Sequence, residues 1–169
     1  ERAEGYLARN RYVGPAPVPL ETYSAWVERQ SVSRIRVEPA AVRAALQDLV
    51  LPEATVESLG PAINSGRSIF LYGPPGNGKT TIAETIGGIL PGTIFVPHAV
   101  LVGGEIVTVY DTGCHHIAEA DPDAEETDAR WLLIRRPVVM VGGELTLKSL
   151  DLDFNRISKF YEAPLQLKS

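Results

Sequence analysis

Gly73-Pro74-Pro75-Gly76-Asn77-Gly78-Lys79-Thr80 satisfies G-x-x-x-x-G-K-[ST], the spacing of a loop that cradles phosphate. The flanks fit that reading. Before the loop, Ser68-Ile69-Phe70-Leu71-Tyr72 is a run of β-formers entered through Gly66-Arg67. After it, Ile82, Ile86, Ile89 and Leu90 recur at helical spacing, which predicts a helix from Lys79 to Leu90 ended by Pro91-Gly92. Strand, glycine loop and helix is the context the motif requires.

The physical basis is a match between a polyanion and a ring of backbone donors. A helix N-terminus carries unpaired N–H groups and a partial positive charge, so phosphate binds there. Pro74 and Pro75 have no N–H and stiffen the entry to the loop instead. The donors are then Gly76, Asn77, Gly78, Lys79, Thr80 and Thr81, with Gly76 and Gly78 permitting close backbone approach. In this role the Lys79 ammonium sits on the β- and γ-phosphates. The Thr80 hydroxyl ligates Mg²⁺, and Thr81 neighbours the α-phosphate.

Leu71 to Thr81 resembles the Walker A segment of AAA+ ATPases, whose usual form is G-P-P-G-x-G-K-T. The paired prolines separate it from nucleotide kinases and small GTPases. Val56, Leu59 and Ile63 form an apolar helix face leading to the loop, and AAA+ proteins commonly place such a helix near the adenine. The close resemblance covers about residues 52 to 91. More loosely, the chain is similar to bacterial AAA ATPases with predicted chaperone activity. The resemblance implies an α/β, P-loop NTPase (AAA+-like) core, ATP and Mg²⁺ as cofactors, assembly into homo-oligomeric rings, and work on a macromolecular partner.

Outward from the core, Pro15, Pro17 and Pro19 give an extended entry, and Leu20, Tyr23 and Val27, with Trp26 beside them, line one helix face. Glu38-Pro39 starts a further helix with Val42, Ala45, Leu46 and Leu49 as its stripe, closed by Pro52. Beyond Pro91, Val100-Leu101-Val102-Gly103-Gly104-Glu105-Ile106-Val107 is echoed by Val139-Met140-Val141-Gly142-Gly143-Glu144-Leu145-Thr146. Gly-Gly between β-rich runs signals a hairpin, so two are predicted, about 99–111 and 132–150. These could grip a substrate or extend a β-layer. The expected division is residues 1–51 as an N-terminal helical region, 52–98 as the P-loop nucleotide-binding core, and 99–169 as a β-hairpin-rich segment continuing the ATPase domain.

Hydrolysis needs an acidic strand beside the loop, where one acid holds Mg²⁺ through water and the next, a Glu, polarises the attacking water. No apolar run here is followed by Asp-Glu. Ile106 to Asp111 comes nearest, but Thr112 follows Asp111. Glu144 is the next candidate and sits in a turn pattern. The water-activating residue is therefore unassigned, as are the sensors; Arg135-Arg136 precedes Pro137 and reads as strand rather than as an arginine finger. The expectation is an N-terminal portion of a larger ATPase.

The chain has 169 residues, 44% of them apolar, and a net charge of −5, which argues against a generally basic nucleic-acid surface and leaves a local site open. Cys114 is the single cysteine, so no internal disulfide forms and a reducing, cytoplasmic setting is expected. No apolar run approaches the roughly 20 residues of a membrane span, and Glu1 to Gly5 lacks signal-peptide form. Cys114-His115-His116 lacks the paired spacing of a metal site. The acids between Glu119 and Asp128 read as a solvated loop. Three functions stay open: an ATP-binding region of a remodelling ATPase, a P-loop phosphotransferase, and a nucleotide-ordered interaction module without turnover.

Overall fold

The computed structural model describes residues 10–90, 92–119, 128–143 and 145–169. In chain order, β1 (Val18–Pro19) runs into α1 (Leu20–Arg29), followed by α2 (Pro39–Ala45), α3 (Glu53–Asn64) and α4 (Lys79–Ile89). Then come β2 (Thr93–Pro97), β3 (Ala99–Val102), β4 (Glu105–Thr108), β5 (Trp131–Arg135), β6 (Asp153–Asn155), β7 (Phe160–Glu162) and α5 (Leu165–Lys168). The chain is thus mixed α/β with both parallel and antiparallel strand pairs. It forms two compact units, Glu28–Gly92 and Glu1–Val27 with Thr93–Ser169.

The first unit is helical. Pro39 at the first turn of α2 starts that helix, as proline can where no N–H partner is needed. Val42 from α2, Leu46 just past its end, Leu59 and Ile63 from α3, and Ile82 and Ile86 from α4 bury one another. These are the stripes expected from the 3.6-residue period. Ala45, expected on the stripe, is exposed. Asn64 closes the unit with a two-way backbone clasp. Its Oδ1 accepts from the Val37 N–H at 2.8 Å, and its Nδ2 donates to the Val37 carbonyl at 2.9 Å.

One expected element of this unit does not form. Ser68 to Tyr72 is not a strand, and its backbone groups make no hydrogen bonds with described residues. A strand needs a neighbour to satisfy its ladder, and none of the described strands belongs to this unit. Leu71 still turns inward onto the helical core, while Phe70 and Tyr72 stack in solvent at 6.1 Å.

The second unit holds a five-stranded sheet in the order β1-β3-β4-β7-β6 and a two-stranded sheet of β2 and β5. The first expected hairpin is present. β3 and β4 pair antiparallel through Gly103 and Gly104, whose φ values of 59° and 87° suit a primed two-residue turn. It sits inside the sheet, flanked by β1 and β7, and so builds the β-layer.

The second expected hairpin, 132–150, is not present. β5 pairs instead with β2, Ile134 opposite Ile94, and Pro137 follows just after the strand. Gly143 takes no left-handed backbone angle. Thr146 and Ser149 form a capping box that turns Leu147–Leu150 into a 3₁₀ helix rather than a return strand. Glu144, the second acid candidate, and the acidic stretch 120–127 lie outside the described residues.

The core of this unit centres on Val18, Val100, Val107, Trp131 and Ile134. Trp26 packs on Trp131 and Phe95 at 5.3 and 5.2 Å, so both tryptophans are packing residues. The apolar face of α1 is Tyr23 and Trp26; Leu20 and Val27, expected on it, are exposed.

Candidate functional site

The P-loop joins Tyr72 to α4. Gly78 caps α4 in the left-handed region at φ 69°, and Gly76 and Gly73 also take positive φ, 82° and 149°. A Cβ built on any of the three would meet nothing within 4 Å. The glycines are therefore needed for backbone angle, not for room. L-residues pay for that region of φ, and glycine does not.

At the helix start, the Ile82 N–H donates to the Gly78 carbonyl at 2.9 Å. No side chain caps the turn, and the Lys79, Thr80 and Thr81 amides find no acceptor among the described residues. Thr80 and Thr81 are exposed. The Lys79 ammonium donates to the carbonyls of Gly73 at 3.1 Å and Pro74 at 2.8 Å, tying the end of the loop to its start. Asn77 lies exposed between the last two glycines. The result is a loop of left-handed glycines feeding three free amides, a hydroxyl and an ammonium. That donor set suits an anion with several oxygens and a hard cation bridging them.

Asp111, the other metal candidate, belongs to the second unit. Its Oδ2 accepts from Lys168 Nζ at 2.6 Å and its Oδ1 from the Gly113 N–H at 2.8 Å. The Lys168 hydrogen bond, then that of Gly113, hold the carboxyl below the usual carboxylate range. Both oxygens are engaged by protein donors, as in a structural carboxylate. Arg135 is placed in β5, where its N–H donates to the His116 carbonyl. Asp153 is in β6, and Asp151 follows the 3₁₀ turn.

Two arrangements had no sequence signal. One is the Asn64 clasp, because nothing at that position distinguishes it from any polar helix end. The other is His115, the one buried polar residue of the described chain at 2% exposure. Its Nδ1 accepts from the Asp111 N–H at 3.1 Å, and its Nε2 meets the Lys168 carbonyl at 2.6 Å. Among the described residues no group of His, Cys, Asp and Glu is placed to hold a metal ion.

Parts of the chain match known proteins. The family model for magnesium chelatase, subunit ChlI, matches residues 45–111, which span α3, the P-loop and α4. A type IV methyl-directed restriction enzyme EcoKMcrB subunit of Escherichia coli K12 is 37% identical over 57 residues, 34% of this chain and 12% of the relative. The vesicle-fusing ATPase of Dictyostelium discoideum is 46% identical over 50 residues, and the vesicular-fusion protein sec18 of Schizosaccharomyces pombe is 49% identical over 51. Each of those two matches covers 30% of this chain and 6% of the relative. The chain therefore spans only a small part of the relatives it matches.

Proposed function

We propose that the helical unit of this chain, which is similar to AAA+ P-loop ATPases, binds Mg·ATP through the loop Gly73 to Thr81. The observation that carries this reading is the uncapped first turn of α4, presented by a left-handed Gly78 and followed by Lys79 and Thr80. Three free amides receive the phosphate oxygens, and the helix dipole adds to their attraction. The Lys79 ammonium turns from the Gly73 and Pro74 carbonyls toward the β- and γ-phosphates, since a bond to an ionised oxygen is stronger than one to a neutral carbonyl. The Thr80 hydroxyl contacts the Mg²⁺ that accompanies ATP. Mg·ATP supplies the transferable phosphoryl group; the residues named hold and orient it.

For the whole protein, we propose an AAA+ ATPase that assembles into a homo-oligomer and couples ATP hydrolysis to remodelling of a macromolecular partner in the cytoplasm, in a chaperone-like manner. The similarity to ATPases such as the vesicle-fusing ATPase supports this class over a phosphotransferase. Light scattering with and without Mg·ATP, alongside an ATPase assay, tests the proposal. Nucleotide-dependent assembly with turnover supports it. ADP release that requires a small-molecule acceptor identifies a phosphotransferase instead.

A further inference from the structure

The strand-forming run Ser68–Tyr72 passes without a turn or bend, and its backbone N–H and carbonyl groups bond to no described residue. Both of its ends are nevertheless fixed. Gly66, at φ 63°, lies so close to Ser33 that a Cβ there would stand 3.1 Å from the Ser33 Cα. At the other end the Gly73 carbonyl accepts from Lys79 Nζ at 3.1 Å. Between these anchors Leu71 packs inward on the helical core. Phe70 and Tyr72, two residues apart and each 85% exposed, share the opposite side, with their rings stacked at 6.1 Å.

The run carries no charge. An uncharged apolar strand with open edges is a template for another strand. Because its ends are already held, little backbone freedom is left to lose on pairing. We propose that Ser68–Tyr72 is a self-pairing edge, at which two copies of this chain join as an antiparallel two-stranded ribbon about a two-fold axis.

The register follows from the sequence. With Phe70 opposite Phe70, all five residues pair: Ile69 faces Leu71, and Ser68 faces Tyr72. Arg67 of one copy then falls opposite Gly73 of the other, so the two arginines stand at opposite ends and no like charges meet. Alternation puts Ile69 and Leu71 on the face toward the helical cores, which agrees with the inward turn of Leu71 and the lower exposure of Ile69, 37%. The other face gathers both phenylalanine and both tyrosine rings as direct or diagonal neighbours. A slip of one residue would set aromatic positions against core positions. Pro74 has no N–H and ends the ladder. An aromatic side chain buries about 150–250 Å², so four of them fall short of the roughly 1,200 Å² of a stable interface. The dimer is therefore reversible and depends on concentration.

The test is sedimentation of the full chain without nucleotide, from about 10 μM to about 1 mM, with hydrogen exchange on the same samples. The mass is expected to rise from 18.3 kDa towards twice that value, with amide protection across residues 68–72 rising in step. Phe70→Lys sets two ammonium groups opposite each other and should stay monomeric, while a wild-type far-UV spectrum and urea midpoint show that it folds. The proposal is overturned if wild type stays at 18.3 kDa throughout, if folded Phe70→Lys dimerises as wild type does, if association leaves residues 68–72 unprotected, or if it continues past the dimer. With no nucleotide present, none of these readouts depends on Mg·ATP binding.

Discussion

The Lys79 ammonium donates to the carbonyl of Pro74 at 2.8 Å, across the loop that both residues belong to. Pro74 has no N–H to offer an anion, but its carbonyl accepts freely. The lysine therefore has a partner on its own loop, and a bound phosphate competes with that partner for the ammonium. The phosphate oxygen carries a charge opposite to the ammonium's and the carbonyl carries none, so phosphate wins the competition.

The left-handed angle at Gly78 predicts an asymmetry between two glycines of α4 and its cap. Gly78→Ala is expected to cost about 1–2 kcal/mol, because alanine is strained at φ 69° even though its methyl has room. Gly88→Ala, in the helix with space around it, is expected to stabilise by about 0.5–1 kcal/mol. Urea denaturation of the two variants checks both signs. Mg·ATP affinity should fall for the first and hold for the second.

Asn64 predicts a larger effect than its position at a helix end implies. Asn64→Ala removes both bonds to Val37 and leaves that backbone amide and carbonyl without their partner. The expected loss is about 2 kcal/mol. A shift in denaturation midpoint at unchanged slope would establish it.

The sequence was most legible where period and local chemistry agreed. The stripes of α2, α3 and α4 and the Gly103-Gly104 turn follow directly from spacing and from left-handed glycine. It was least legible where a segment needed a partner distant in the chain. Ser68 to Tyr72 has strand-forming residues but no described neighbour to complete a ladder, and β5 took β2 as its partner instead of the run after Gly143. The P-loop residues were found by their motif, and the route of Lys79 to Gly73 and Pro74 was not, since no pattern encodes a side chain folding back on its own loop.

Core position separates two leucine-sized side chains of the second unit. Ile134 is fully buried opposite Ile94 and bridged to Ile117, so Ile134→Ala is expected to cost about 2–5 kcal/mol. Leu147 is 86% exposed, and Leu147→Ala should stay within about 0.5 kcal/mol of wild type. Calorimetry of the two variants distinguishes them.

Asp111 sets an acid limit on the second unit. Its carboxyl is held down by Lys168 and then by the Gly113 N–H, so its folded value lies below its unfolded one. The stability it contributes is complete above about pH 4 and is lost as pH falls through the lowered folded value. Because the carboxylate is 38% exposed, solvent screening keeps that contribution below about 1 kcal/mol. Asp111→Asn should lower stability at neutral pH and flatten its fall below pH 4. Urea midpoints measured at about pH 7 and about pH 3 report both effects.

Mg·ATP binding to the chain and to Lys79→Ala, measured by calorimetry, tests the central claim most directly. Loss of one charge-assisted phosphate contact should cost about 1.5–3 kcal/mol, or roughly 10- to 150-fold in affinity, with the fold retained. If Lys79→Ala binds Mg·ATP as tightly as wild type, the loop from Gly73 to Thr81 is not the nucleotide site.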